Sequence, residues 1–210
     1  MSEQTPTANL VVEYLHPEDI NIAASVLYKA YHDDPLLKQV LEAKHELDFE
    51  KKLRALIREE LSSFSQTGQP MVGLYEDKRL LAVACVIADG EQLEASRQWH
   101  WRLRLMLSAG YLQTQQLIEK EKAIRSALQE YEPYHFLSLI AVDPQCQGQG
   151  HGHYLLQALD DLLAQSDKSK GMAVFITQKG QEQFFATHHY QPLQTLAFSA
   201  VEGMLLFKDK

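Results

Sequence analysis

The chain has 210 residues, 45 % of them apolar, which is ample for a buried core and, at roughly 150 residues per domain, for one large domain or two small ones. Ten glycines and seven prolines are scattered without a period or a low-complexity tract, which removes disorder, solenoids and collagen. With 20 Lys plus Arg against 28 Asp plus Glu the net charge is −8, so no cationic surface for nucleic acid is expected.

The first ten residues, MSEQTPTANL, lack the cationic start and apolar stretch of a secretory signal, and a cytoplasmic protein is expected. Leu10 to Leu15 reads as a strand. Pro17, Glu18 and Asp19 then open a helix whose stripe is Ala23, Ala24, Leu27, Ala30 and Tyr31. Asp33, Asp34 and Pro35 end it, because the residue before a proline is pushed out of the helical region. Leu47 to Phe64 is a second amphipathic helix. Residues 1–50 hold ten acids against Lys29, Lys38 and Lys44, seven of the eight net negative charges. That surplus reads either as solvated helix surface or as a mouth that attracts a cationic substrate.

Pro70 to Tyr75 and Arg79 to Ala88 form a hairpin around Glu76, Asp77 and Lys78. Leu80 to Ala88, the longest apolar run, is far short of the ~20 residues of a membrane-spanning helix and reads as a buried strand. From Glu91 to Glu130 the pattern is helical, with Trp99, Trp101, Leu103, Leu105, Met106 and Leu107 crowded before Gly110 divides it in two. This piece is a lid, a dimer surface or simply a helical pair packed on the core. Phe136 to Val142 is a strong strand, and Leu155, Leu156, Leu159, Leu162 and Leu163 give the next helix a core face. Met172 to Thr177 is a strand, Gln181 to Thr187 a short helix, and Pro192 to Ser199 with Gly203 to Phe207 close a mixed α/β order. Cys85 and Cys146 are distant and outside any CxxC spacing, so neither a disulfide framework nor a metal site is expected.

Between that strand and the leucine helix lies Gln147-Gly148-Gln149-Gly150-His151-Gly152-His153. Glycines let successive backbone N–H groups converge, and a helix opens there with unpaired donors and the positive end of its dipole, so an anion is the expected guest. No Lys or Arg occurs between Arg125 and Lys168, so a phosphate would be held by backbone, with His151 and His153 as helpers. An ATP-binding P-loop would need GxxxxGK, and no lysine is present. A dinucleotide fingerprint would need GxGxxG and an acid at the tip of the next strand, whereas here GxGxG is followed by a strand ending at Thr177 and Gln178.

With the strand ending Ile140-Ala141-Val142-Asp143-Pro144, this turn resembles the acetyl-CoA loop of the GNAT superfamily: Gln or Arg, two residues, Gly, one residue, Gly or Ala. Both Gln145-Gly148-Gly150 and Gln147-Gly150-Gly152 satisfy it; the second is preferred because Gln147 lies five residues after Val142. Ala30-Tyr31-His32-Asp33-Asp34-Pro35 resembles the end of the family's first helix, and Phe184 to Tyr190 its late Tyr-x-x-x-Gly-Phe turn. The resemblance implies an α/β GNAT fold over 1–210, a single domain with a mixed sheet splayed at the loop, helices on both faces and a helical insertion at about 91–130. It further implies acetyl transfer from acetyl-CoA to a primary amine of a small molecule or peptide, with no nucleic acid or membrane partner. Ile140, Ala141 and Val142 would pair with pantetheine, and Gln147, Gly148, Gln149, Gly150, His151, Gly152 and His153 would hold the phosphates.

Counting back five residues from Tyr190 puts Phe185, which cannot donate a proton, where many members carry an acidic tyrosine; it is counted here with the cofactor wall. Where some members place a base, Ser138 and Phe136 stand. Candidate catalytic residues are therefore Asp34, Ser138 to position a water, and Tyr134 to carry a proton. His135 should point to the other face unless a bulge turns it. The missing tyrosine also suits an acyl-CoA sensor without turnover.

Overall fold

The computed structural model describes residues 9–43, 45–88, 104, 106–178 and 180–210. In chain order these form β1 (Leu10–Tyr14), a 3-10 turn (Pro17–Asp19), α1 (Ile20–Tyr31), α2 (Pro35–Leu41), α3 (Glu46–Thr67), β2 (Met71–Glu76) and β3 (Arg79–Ile87). There follow α4 (Tyr111–Ala127), β4 (His135–Val142), α5 (His151–Ala164), β5 (Gly171–Ile176), α6 (Gln181–Ala186), β6 (Gln191–Phe198) and β7 (Val201–Asp209). The Trp99 and Trp101 segment, on which the lid and dimer readings rest, lies outside the described residues. Among those residues no helix is long and apolar enough to cross a membrane, and both cysteines are free and buried.

Among the described residues one mixed sheet of seven strands runs β1-β2-β3-β4-β5-β7-β6, with β4 and β5 its only parallel neighbours. The apolar run of β3 serves both faces of this sheet. Val83 and Cys85 join a core with α1, α2 and α3, whereas Ala82, Ala84 and Val86 meet the leucines of α5 on the other side. Strand β5 divides likewise, with Met172, Val174 and Ile176 toward α5 and Ala173 toward Ile124 and Leu128 at the end of α4. Helix α3 buries Phe49, Leu53, Leu56, Ile57, Leu61 and Phe64 at helical spacing, each contributing about 1.5–3 kcal/mol. It stops at Gly68, whose left-handed backbone (φ +64°) returns an N–H to the Ser65 carbonyl.

Helix α2 departs from the sequence reading. Asp34 and Pro35 end α1 but also begin α2, because a proline at the first helical position needs no N–H partner and Asp34 Oδ1 caps the Leu37 N–H at 2.8 Å.

Strands β4 and β5 pair only through His135–Met172, Phe136–Ala173 and Leu137–Val174, and then part. They part at a β-bulge. On the β3 side Cys85 faces Leu139 and Val86 faces Leu137, leaving Ser138 as an extra residue that bends the strand. The bulge reverses the alternation that the sequence alone implies. Leu137 packs on the α5 face with Ile140 and Val142, while Phe136 packs on the opposite face with Tyr134, so Phe136 and Tyr134 do not share a face with Ile140.

Gly171, the first residue of β5, fixes how closely β7 approaches. A methyl added there would lie 2.2 Å from the Lys208 carbonyl oxygen, which is backbone and cannot move aside. Gly171→Ala should therefore cost about 1–3 kcal/mol, measured as a fall in urea midpoint at unchanged slope.

Candidate functional site

Where β4 leaves β5 its backbone faces open space. Asp143 N–H bonds the Leu81 carbonyl at 2.8 Å, which sets the alternation of the antiparallel pair. Ala141 and Leu139 therefore turn their polar groups to β3, and Ile140 and Val142 turn theirs into the gap. Two side chains meet this edge. Gln147 Nε2 donates to the Val142 carbonyl at 3.1 Å, and the Tyr31 hydroxyl takes the Ile140 N–H at 3.2 Å while donating to the Ile140 carbonyl at 3.3 Å.

The gap opens into a cavity of about 830 Å³ that continues to the glycine-rich turn. Asp143 shapes the start of that turn by accepting the Gln145 N–H at 3.0 Å and the Lys29 ammonium at 2.9 Å. Burial alone would raise its carboxyl, but Lys29, the Gln145 N–H and Arg79 outweigh it and hold the group below the usual carboxylate range. His151 is buried, and its Nδ1–H donates to the Cys146 carbonyl at 2.9 Å, fixing the turn to the first residue of α5. Gly148 (φ +75°) and Gly150 (φ +84°) adopt left-handed backbone that other residues rarely take, and a methyl at either would meet nothing. No side chain caps the first turn of α5, so its opening N–H groups face the cavity's edge. Gly152 has a different role: a methyl there would lie 2.9 Å from Phe184, so it permits α6 to pack close. His153 stacks on His188, their rings 5.0 Å apart and Nδ1 to Nε2 2.8 Å, and burial followed by His153 pushes the His188 imidazole below its usual value.

The other end of the cavity is polar. Asp34, Glu60, Glu121 and Glu132 line it together with Lys120 and Arg125. Arg125 pairs with Glu121 at 2.5 Å. Burial lowers the pKa of the Lys120 ammonium, against the carboxylates of Glu60, Asp34 and Glu121. Burial raises Tyr134 above its usual value, and raises Tyr31 to about 12 despite the Ile140 contact.

Comparison with known proteins bears on this arrangement. The sequence matches the Acetyltransferase (GNAT) family over residues 33–190. The chain belongs to the GNAT acetyltransferase family. It is thus an acyltransferase by family. No curated protein matches it in sequence. Among solved structures, the fold is shared with an acetyltransferase of Corynebacterium glutamicum described as histone acetyltransferase HPA2 and related (TM-score 0.70, 15 % identity, 96 % of each chain). A mosquito arylalkylamine N-acetyltransferase (like 5b) superposes with TM-score 0.64 at 16 % identity, covering 96 % of this chain and 100 % of that one. The PaiA N-acetyltransferase of Thermoplasma acidophilum in complex with coenzyme A does so with TM-score 0.60 at 11 % identity, over 96 % and 99 %.

In this GNAT chain the residues singled out from the sequence fall as follows. Ile140, Ala141, Val142, Gln147, Gly148, Gly150, His151, Gly152, His153 and Phe185 line the cavity; Gln149 is exposed and does not. The backbone of Ala141 is turned to β3, and its contribution is its methyl. Asp34, Tyr134 and Ser138 line the cavity as well, Ser138 as the bulge itself. Both oxygens of Asp34 are engaged, one by the Leu37 N–H and the other by the Thr177 hydroxyl at 2.5 Å, so it fastens α2 to the end of β5. His135 is buried on the strand's inner stretch and does not line the cavity. Of the acids among residues 9–50, only Asp34 lines the cavity. Others pair outside it, Glu46 with His32 at 3.1 Å and Asp33 with Lys38 at 2.6 Å, so the N-terminal surplus does not form the mouth.

Tyr31, Glu60, Lys120 and Thr177 were not singled out from the sequence. The one available signal was the position of Tyr31 at the end of a helix that the family resemblance already covered. Asp34→Ala removes a cap and leaves Thr177 without its acceptor, and should cost about 1–2 kcal/mol in urea unfolding, whereas Asp34→Asn should retain most of the stability.

Proposed function

We propose that the chain transfers an acyl group, acetyl foremost, from acyl-CoA to a primary amine. The observation that supports this most directly is one continuous concavity: an open β4 edge carrying the Ile140 and Val142 polar groups runs into a glycine turn and an uncapped helix start. The edge suits an extended chain of amides and the turn suits a pyrophosphate, while about 830 Å³ matches the size of ordinary ligand pockets, roughly 300–1,000 Å³. The cosubstrate supplies an activated thioester; the chain's own residues hold it and manage protons.

An alkyl ammonium has a pKa of about 10 and must lose a proton before it attacks. Carboxylates at the polar end draw the cation in. Ser138, at the bulge, is placed to hold a water, and Asp34, whose oxygens retain spare lone pairs, is the carboxylate proposed to receive the proton. Tyr134, kept protonated by burial, serves as a relay rather than a base. The acceptor is a small-molecule amine in this reading, as the name of the mosquito arylalkylamine enzyme indicates for that protein.

Acetyl-CoA at about a hundred times its dissociation constant should stabilise the protein by about 2.7 kcal/mol, a rise of roughly 5–10 °C in Tm. Gly150→Glu, which places a carboxylate in the cradle, should abolish the rise. Gly150→Ala separates the charge effect from backbone strain and should keep part of it. Absence of any shift in the native protein sinks the proposal. Thiol release with a panel of amines then tests transfer, and Asp34→Asn should lower kcat at least tenfold if its oxygen takes the proton.

A further inference from the structure

The Tyr31 hydroxyl sits on the open edge of β4, bonded to both polar groups of Ile140, at distances of 3.2 and 3.3 Å. No other residue in the cavity makes two contacts with that edge among the described hydrogen bonds. From this geometry we infer that Tyr31 is a catalytic residue: its hydroxyl and the Ile140 N–H together hold the thioester carbonyl oxygen as it becomes negative. The inference rests on the acyl-CoA reading.

The steps follow from what is already bonded. In the free protein the phenol oxygen accepts the Ile140 N–H, so it stands where an incoming carbonyl oxygen would accept that same hydrogen. When a carbonyl takes the N–H, the hydroxyl is pushed aside by about one atom and its O–H turns from the Ile140 carbonyl to the newcomer. Two donors then converge on one oxygen. As the amine nitrogen forms its bond to carbon, the carbonyl π pair moves to that oxygen, where the charge meets both donors. When the pair returns, the C–S bond breaks and one proton of the nitrogen passes to sulfur; the ammonium's extra proton left before the attack, and the remaining one stays as the amide N–H. Atoms and charge balance without a proton from Tyr31.

Chemistry separates this role from that of an acid. Burial raises the Tyr31 phenol to about 12, well above the ~8.5 at which a thiol ionises in water, so the phenol is the poorer proton donor. The same shift keeps the hydroxyl a hydrogen-bond donor throughout the working pH range. An oxyanion donor needs that property and no other.

The test uses Tyr31→Phe, which removes one oxygen. Three quantities are measured in both proteins: amine acetylation, affinity for coenzyme A, and affinity for the ketone analogue of acetyl-CoA with CH2 in place of sulfur. The variant should lose on the order of 10²-fold in kcat, bind coenzyme A unchanged, and lose roughly tenfold in preference for the ketone over coenzyme A. The alkaline limb of the pH profile should be identical in the two proteins. Unchanged kcat, an unchanged ketone preference, or an alkaline limb that vanishes in the variant overturns the inference. Tighter coenzyme A binding with kcat intact overturns it too, in favour of a placeholder that the ligand evicts. If the native protein acetylates no amine yet prefers the ketone through Tyr31, the transfer reading fails and the carbonyl contact stands.

Discussion

The parting of β4 from β5 after three residue pairs is the constraint from which the rest of the site follows. A strand in the middle of a sheet ordinarily has both edges satisfied, and an unpaired backbone group away from water costs about as much as a lost hydrogen bond. Here the Ser138 bulge bends β4 away and exposes the Ile140 and Val142 groups to a cavity lined largely by apolar side chains. The protein meets that cost with Tyr31 and Gln147, one from the helix before the sheet's centre and one from the loop after it. Both partners are side chains, and side chains can move. An edge satisfied in this way can exchange its partners for a ligand without breaking the fold, which a strand ladder could not do.

The charge distribution follows a similar logic. A net charge of −8 argues against a cationic surface for nucleic acid, but it does not bear on a phosphate held by backbone. The glycine turn has no cation within its own stretch of sequence, and His151, the ring nearest to it in sequence, is committed to the Cys146 carbonyl. Charge that matters to the polar end comes instead from helices α3 and α4, through Glu60, Lys120, Glu121 and Arg125. Among the described acids of the first fifty residues only Asp34 lines the cavity, while others, such as Glu46 with His32 and Asp33 with Lys38, pair on outer faces.

Much of the fold was legible because its signals are local. The two-sided burial of β3 shows as an unbroken apolar run, and the α5 leucines and glycine turn show as spacing. The mixed sheet and its splay came only through the family resemblance, and the strand order was not read at all. What escaped is what local pattern cannot carry. Asp34-Pro35 reads equally as the end of one helix and the start of another, and only the Leu37 N–H decides. The Ser138 bulge has no sequence mark, yet it moves Phe136 and Tyr134 to the face opposite Ile140 and thereby breaks an argument built on alternation. Tyr31 and Ile140 are 109 residues apart, and a contact of that kind is set by how α1 lies on the sheet.

Phe185 sharpens the question of where protons go. Its ring is buried and packs on Phe184 and Tyr190, with centroids 5.2 Å away in each case, so it is wall rather than reagent. An apolar wall disfavours a free thiolate, because burying a charge without a partner is costly. That cost does not require a tyrosine beside the sulfur. In the proposed transfer, the nitrogen that has just attacked carries a positive charge and a proton it must lose, and it is bonded to the same carbon as the sulfur. Transfer between them cancels both charges where they arise. With that proton supplied by the substrate, the demand left on the chain after attack would be to hold the carbonyl oxygen, whose proposed place adjoins Ile140, on the β4 edge that Tyr31 occupies.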